Sequence, residues 1–158
     1  TPRRGCTFVN RALKLPDGLI RLIAKGVDRA FLKLGDREPD FYTVAHQFGT
    51  EACAAFNEQT PDSEGVYYQS YMSVMSRALS DKILAIPYLM IKKLDGENDG
   101  LVSVPSAIWG AFRGVFRSSK KQGVSHGDII DLKREDNKGF DVIEAYVRMV
   151  HELKQAGY

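Results

Sequence analysis

Three short loops hold polar side chains in patterns that a hydrophobic core does not require. The first is Thr1-Pro2-Arg3-Arg4-Gly5-Cys6, a Pro/Gly-containing stretch with little chemical specificity of its own. The second, Glu97-Asn98-Asp99-Gly100-Leu101-Val102-Ser103, holds a carboxylate in a tight turn just before an apolar pair. The third, Gly123-Val124-Ser125-His126-Gly127-Asp128, sets a histidine between small residues, where the imidazole is free to turn toward a neighbour. His126 follows Asp99 by 27 residues, room for one helix and one strand, so an Asp–His hydrogen bond across the two loops is open to the chain. Taken singly, Asp99 reads as a turn former and His126 as a solvated loop residue.

The third loop also contains the literal pattern G-x-S-x-G, as Gly123-Val124-Ser125-His126-Gly127, which makes Ser125 a rival nucleophile. A serine elbow requires a buried apolar strand before it, whereas Arg117-Ser118-Ser119-Lys120-Lys121-Gln122 precedes this one. Downstream, Asp128, Asp131, Asp136, Asp141 and His151 remain for the other roles, and His151 falls near the polar edge of a helical pattern. Ser125 is therefore read as part of the histidine loop. The acid loop from Asp95 nearly opens an EF-hand, but Ser106 stands at the twelfth position, where a bidentate Glu is required. Cys6 and Cys53 lack any paired metal spacing and are too few for a disulfide framework; two reduced, buried thiols are expected.

The chain that must position these loops has 158 residues, 44% hydrophobic and 27% charged, with 22 Lys plus Arg against 20 Asp plus Glu. That composition excludes disorder, a collagen repeat and a disulfide scaffold. A domain of this size buries roughly 70% of its unfolded surface, enough for a real core. With a net charge of +2 and both signs interspersed, no nucleic-acid partner is expected. The most apolar run, 83–91, contains Pro87 and is shorter than the roughly 20 residues of a bilayer span, so no transmembrane segment is expected. Because the chain opens on Thr1-Pro2 rather than Met, any leader lies upstream of what is read here, and localisation stays open.

Apolar spacing predicts an amphipathic helix over 17–35, with Leu19, Leu22, Ile23, Val27, Ala30, Phe31 and Leu34 on one stripe. A second helix is predicted over 39–56, ended by Thr60-Pro61-Asp62. The β-branched and aromatic run 66–75 reads as a strand. The apolar run 83–91 is open between buried helix and buried strand, although Pro87 argues against a central strand. Residues 95–100 read as a loop, 109–117 as a strand, and 140–157 as the cleanest helix, with Ile143, Tyr146, Val147, Val150 and Leu153 on its face. One compact unit of mixed helices and strands is expected.

In this order the loops resemble the second half of bacterial triacylglycerol lipases of the α/β-hydrolase fold. TPRRGC is similar to that family's T-P-H-R-G-S/T loop, with Arg3 where His is usual and Cys6 where Ser or Thr is usual. ENDGLVS resembles the N-D-G-L-V-S around the triad acid, and GVSHGDIID the segment of the triad histidine. The terminal FDVIEAYVRMVHELKQAGY resembles the helix packed behind it, and residues 54–57 and 66–70 the region between lid and next strand.

The resemblance implies the C-terminal portion of an α/β-hydrolase: a mostly parallel mixed sheet with flanking helices and a helical lid insertion. One partial domain would span 1–158, with a lid or cap over about 7–60 and the acid and histidine loops within 66–158. It implies a Ser-His-Asp triad in the chain order Ser, Asp, His, with Asp99 and His126 as the catalytic residues supplied here. The serine would come from an N-terminal half of the same protein, and the fragment alone would be inactive. Acylglycerol esters are the implied substrates and lipid interfaces an implied contact of the lid. No cofactor is required; calcium at Asp128, assisted by Asp131 and with Asp81 as the nearest upstream carboxylate, is the one metal the resemblance suggests. The compartment is that of a secreted or cytoplasmic bacterial protein. Two other readings stand beside this one: a non-catalytic interaction fragment, and an esterase or thioesterase acting on short-chain or other acyl substrates.

Overall fold

The computed structural model describes residues 4–33, 35–132, 137 and 139–158. The readings of Thr1-Pro2-Arg3, Leu34 and Asp136, and of the Ala30 side chain, lie outside the described residues. In chain order the elements are α1 (Thr7–Ala12), α2 (Asp17–Lys33), α3 (Phe41–Gln47), α4 (Thr50–Gln59), β1 (Gln69–Ser73), a 3-10 turn (Ala78–Ser80), α5 (Ala85–Asp95), α6 (Val104–Ala107), β2 (Ala111–Phe116), a second 3-10 turn (Asp128–Ile130) and α7 (Val142–Gln155). The fold is thus mixed helix and strand. The Ala111 N–H donates to the Tyr68 carbonyl and the Val74 N–H to the Phe116 carbonyl, so the two strands run parallel.

Two compact units emerge, one from Thr1–Ser70 with Pro105–Phe112, the other from Tyr71–Val104 with Arg113–Tyr158. In the first unit the helix expected over 39–56 is instead two helices. Their break follows from a tertiary contact: Asn10 Oδ1 accepts from the Thr50 N–H at 2.9 Å and Asn10 Nδ2 donates to Thr50 Oγ1, capping α4 from another segment. Gly49 between them is extended (φ −61°, ψ 151°). Asp40 caps α3 through the Thr43 N–H. The α2 helix forms where the periodicity places it, but Leu22, Ile23 and Phe31 on its stripe are exposed.

The predicted strand over 66–75 shortens to Gln69–Ser73. Tyr68 stacks on Trp109 instead, ring centroids 5.0 Å apart. At Gly110 (φ +56°) a Cβ would stand 2.2 Å from the Tyr68 carbonyl oxygen, so only glycine brings the two chain segments this close.

In the second unit the ambiguous apolar run is helix α5, with Pro87 in its first turn, where its missing N–H costs nothing. Tyr88 and Ile91 face inward. Helix α7 begins at a capping Asp141, whose carboxylate accepts from the Glu144 N–H. Its inward side is not the apolar one: Ala145 is buried, Arg148 lies over the Phe116 ring, and Glu152 accepts from the Tyr71 hydroxyl at 2.5 Å. The predicted face points outward, with Ile143 73%, Val147 62% and Val150 64% exposed. Leu79, Ile83 and Ile86 are likewise more than two-thirds exposed. Amphipathic spacing marks a face for burial, and among the described residues nothing covers it. Among the described residues no helix is long and apolar enough to cross a membrane.

Candidate active site

The acid loop is built on Asn98, fully buried after α5. Its amide donates to the Tyr88 and Gly96 carbonyls and its Oδ1 accepts from the Gly100 N–H, closing a tight turn. The Asn98 carbonyl accepts from the Met75 N–H, just past the end of β1, and an isolated antiparallel bridge joins Asn98 to Ser103. Asp99 is thereby held with its side chain inward, 3% exposed. Its Oδ1 accepts from the Leu101 N–H at 3.0 Å and the Val102 N–H at 2.8 Å. One oxygen is fixed by backbone donors and the other is left to aim.

That other oxygen, Oδ2, lies 2.7 Å from His126 Nδ1. The histidine loop is brought there by its own backbone: the Val124 N–H donates to the Val74 carbonyl and the His126 N–H to the Asp99 carbonyl. Gly123 makes this approach feasible, since at φ +77° a Cβ would stand 2.3 Å from the Ser76 nitrogen and 2.6 Å from the Val74 oxygen. A carboxylate only accepts, so Nδ1 carries the ring proton and Nε2 keeps its lone pair. The Asp99 side chain is 4% exposed and the imidazole 44%, so the carboxylate is shielded while the ring stays partly open to solvent. No hydrogen bond to Nε2 is seen among the described residues. The hydrogen bond to Asp99 holds the His126 pKa above the ordinary imidazole value, against the opposing pull of burial, with the Asp99 charge adding to the rise.

Ser125 is fully buried, its Oγ 3.5 Å from Asp81 Oδ2 and its N–H donating to Asp128 Oδ2 at 2.8 Å. It braces the loop from beneath and is not open to an ester. Asp81, 4% exposed, accepts from the Ile83 N–H through Oδ1. Asp128 begins a 3-10 turn, and Asp131 at its end is exposed in the left-handed region. Calcium takes six to eight oxygen ligands; among the described residues no group of three or more His, Cys, Asp or Glu side chains converges on one point. The Asp81–Ser125 and Ser125–Asp128 hydrogen bonds brace the histidine loop.

Ser106 is buried and donates to the Gly5 carbonyl, a structural role far from that of a calcium ligand. His151 is exposed, beside Gln155. Cys53 is buried and its thiol pKa is pushed up by that burial, whereas Cys6, whose backbone N–H donates to the Phe48 carbonyl, is only partly buried.

The sequence places Asp99 and His126 correctly in separate loops, and the structure brings them into contact. Sequence reasoning misses Asn98 and the Asp81–Ser125 brace. The Asn-Asp-Gly order signals the first, since Asn is the residue whose side chain builds such turns; nothing local signals the second. Comparison with protein-family models gives no match, and comparison with curated proteins gives none either.

Proposed function

We propose that this chain is the acid–base part of a carboxylic ester hydrolase of the lipase kind, the C-terminal portion of an α/β-hydrolase. The observation that carries the reading is the Asp99–His126 pair, with a buried, backbone-anchored carboxylate and a partly exposed imidazole. That is the geometry a base needs when a serine is its client. His126 Nε2 accepts the serine proton as Oγ attacks the ester carbonyl, and Asp99 stabilises the imidazolium. The tetrahedral oxyanion collapses, the alcohol leaves with the proton from Nε2, and an acyl-serine remains. Water then attacks, its proton passes to Nε2, and the carboxylic acid and free serine are released. Neither Asp99 nor His126 can replace the nucleophile, and buried Ser125 is not offered as one. The serine is supplied by protein outside these 158 residues, in a strand-turn-helix elbow.

The exposed apolar faces of α7 and α5 support this reading, because a partial hydrolase leaves uncovered what its remaining sheet would bury. The substrates are acyl esters, of acylglycerol type by the sequence resemblance. The test is made on the chain joined to an upstream G-x-S-x-G segment from its own coding sequence. A fluorophosphonate should label the upstream serine, His126→Ala should abolish turnover of p-nitrophenyl butyrate, and Ser125→Ala should leave it largely intact. Labelling of Ser125 itself, or turnover that survives His126→Ala, would overturn the reading.

A further inference from the structure

Past the end of β1, in the second unit, the chain pairs antiparallel with the segment that leads into the histidine loop. Met75 bridges Gly123, the Ser76 N–H donates to the Gln122 carbonyl at 3.1 Å, and the Ser80 hydroxyl donates to the same carbonyl. Extended backbone at Arg77 (φ −155°, ψ 156°) continues that register by one residue, so Arg77 stands opposite Lys121. Lys120 precedes Lys121, and Lys82 follows the turn that Ser80 ties down.

These four cations are exposed, and among the described residues none of them forms an ion pair with a carboxylate. The one acid within 76–84 and 117–122 is Asp81, which is 4% exposed and accepts from the Ile83 N–H; Arg117 is already paired with Glu97. Like charges set opposite each other in a strand pair repel. The fold concentrates positive charge here although the chain as a whole carries only +2.

Two aliphatic side chains stand among the cations. Leu79, in the 3-10 turn, is 73% exposed, and Ile83, between that turn and α5, is 82% exposed. A nucleic acid would meet the charges and gain nothing from Leu79 and Ile83. An apolar protein groove would cover the aliphatic groups but strip water from four cations without pairing them. An anionic bilayer takes both kinds of group, with apolar side chains at the acyl boundary and cations at the headgroups. We infer that Arg77, Leu79, Lys82, Ile83, Lys120 and Lys121 form a docking patch for an anionic lipid bilayer. The patch lies outside the 7–60 segment, and the inference is independent of the hydrolase reading.

The test is flotation of the full chain with vesicles, read without any turnover. Phosphatidylcholine vesicles containing about 30% phosphatidylserine should bind it at least about tenfold more tightly than phosphatidylcholine alone. Salt near about 1 M, where the screening length falls to about 3 Å, should remove most of that gain. Replacing both lysines, Lys120→Gln with Lys121→Gln, should weaken binding at least about tenfold, and Ile83→Ser at least about fivefold. Lys25→Gln and Ile143→Ser, an exposed cation and an exposed aliphatic residue elsewhere, should leave it within about twofold. Far-UV circular dichroism checks that the variants fold. The inference is overturned if the chain does not bind the phosphatidylserine vesicles or binds both kinds equally, if patch variants that fold bind as wild type does, or if Lys25→Gln and Ile143→Ser lose as much as they do. A short DNA duplex that binds more tightly than the vesicles and is indifferent to Ile83→Ser would also overturn it, assigning the cations to a nucleic acid.

Discussion

Replacing Asp99 separates the two tasks of its carboxylate. In Asp99→Asn the amide oxygen still accepts from Leu101 and Val102, but the amide nitrogen now faces His126 Nδ1 and donates to it. The ring proton moves to Nε2 and the loop keeps its shape. What is lost is the ion pair with protonated His126. Two unit charges 4 Å apart are worth about 4 kcal/mol at an effective dielectric of 20. With 44% of the imidazole facing water, the expected loss is reduced to about 1 kcal/mol. Because the folded-state pKa of His126 is raised, this contribution is full below the unfolded imidazole value and fades as pH rises through the folded value. Urea unfolding of wild type and Asp99→Asn should therefore differ by about 1 kcal/mol more at pH 5.5 than at pH 9. Asp99→Ala also strands the Leu101 and Val102 N–H groups, adding a pH-independent cost of about 1–3 kcal/mol for each that stays dry. An Asn variant whose deficit is equal at the two pH values would refute the proposed ion pair, and an Ala variant no worse than Asn would refute the anchoring role of Oδ1.

Four further outcomes are expected. On the proposed function, Asp99→Asn in the chain joined to an upstream serine segment should lower kcat on the order of 10⁴-fold, the scale known when a triad acid loses its tautomer control, measured with p-nitrophenyl butyrate. Gly123→Ala should cost more than about 2 kcal/mol and shift the His126 NMR signals, since its Cβ would enter backbone of the adjoining segment; a stability within experimental error of wild type would contradict the close approach. Asn98→Ala should destabilise by about 2–4 kcal/mol, because it removes three hydrogen bonds made by a fully buried side chain, as read from denaturant midpoints. The Arg117–Glu97 pair, bidentate at 2.7 and 2.8 Å but more than half exposed, should contribute no more than about 0.5 kcal/mol, and less in high salt.

Local physics wrote much of this structure into the sequence. Helix α2 and helix α7 lie where the 3.6-residue spacing puts them, and Asp141 with Glu144 marks the start of α7 through a capping pattern that needs no distant partner. The glycines and Asn-Asp-Gly order announced the acid and histidine loops, because turns are made by residues within a few positions of one another. What tertiary structure alone decided depends on partners far along the chain. The side chain of Asn10 splits one expected helix into α3 and α4 from forty residues away. Tyr68 leaves the strand for a stack on Trp109, and α7 turns Ala145 and Glu152 inward while its apolar stripe faces out. Periodicity reports that a face is apolar but not which surface covers it, since that is a property of the assembled neighbours. The Asp99–His126 distance is of the same kind. Spacing allowed the pair, and the backbone bonds from Val124 to Val74 and from His126 to Asp99 made it, because a hydrogen bond of 2.7 Å requires two loops to be fixed in space at once.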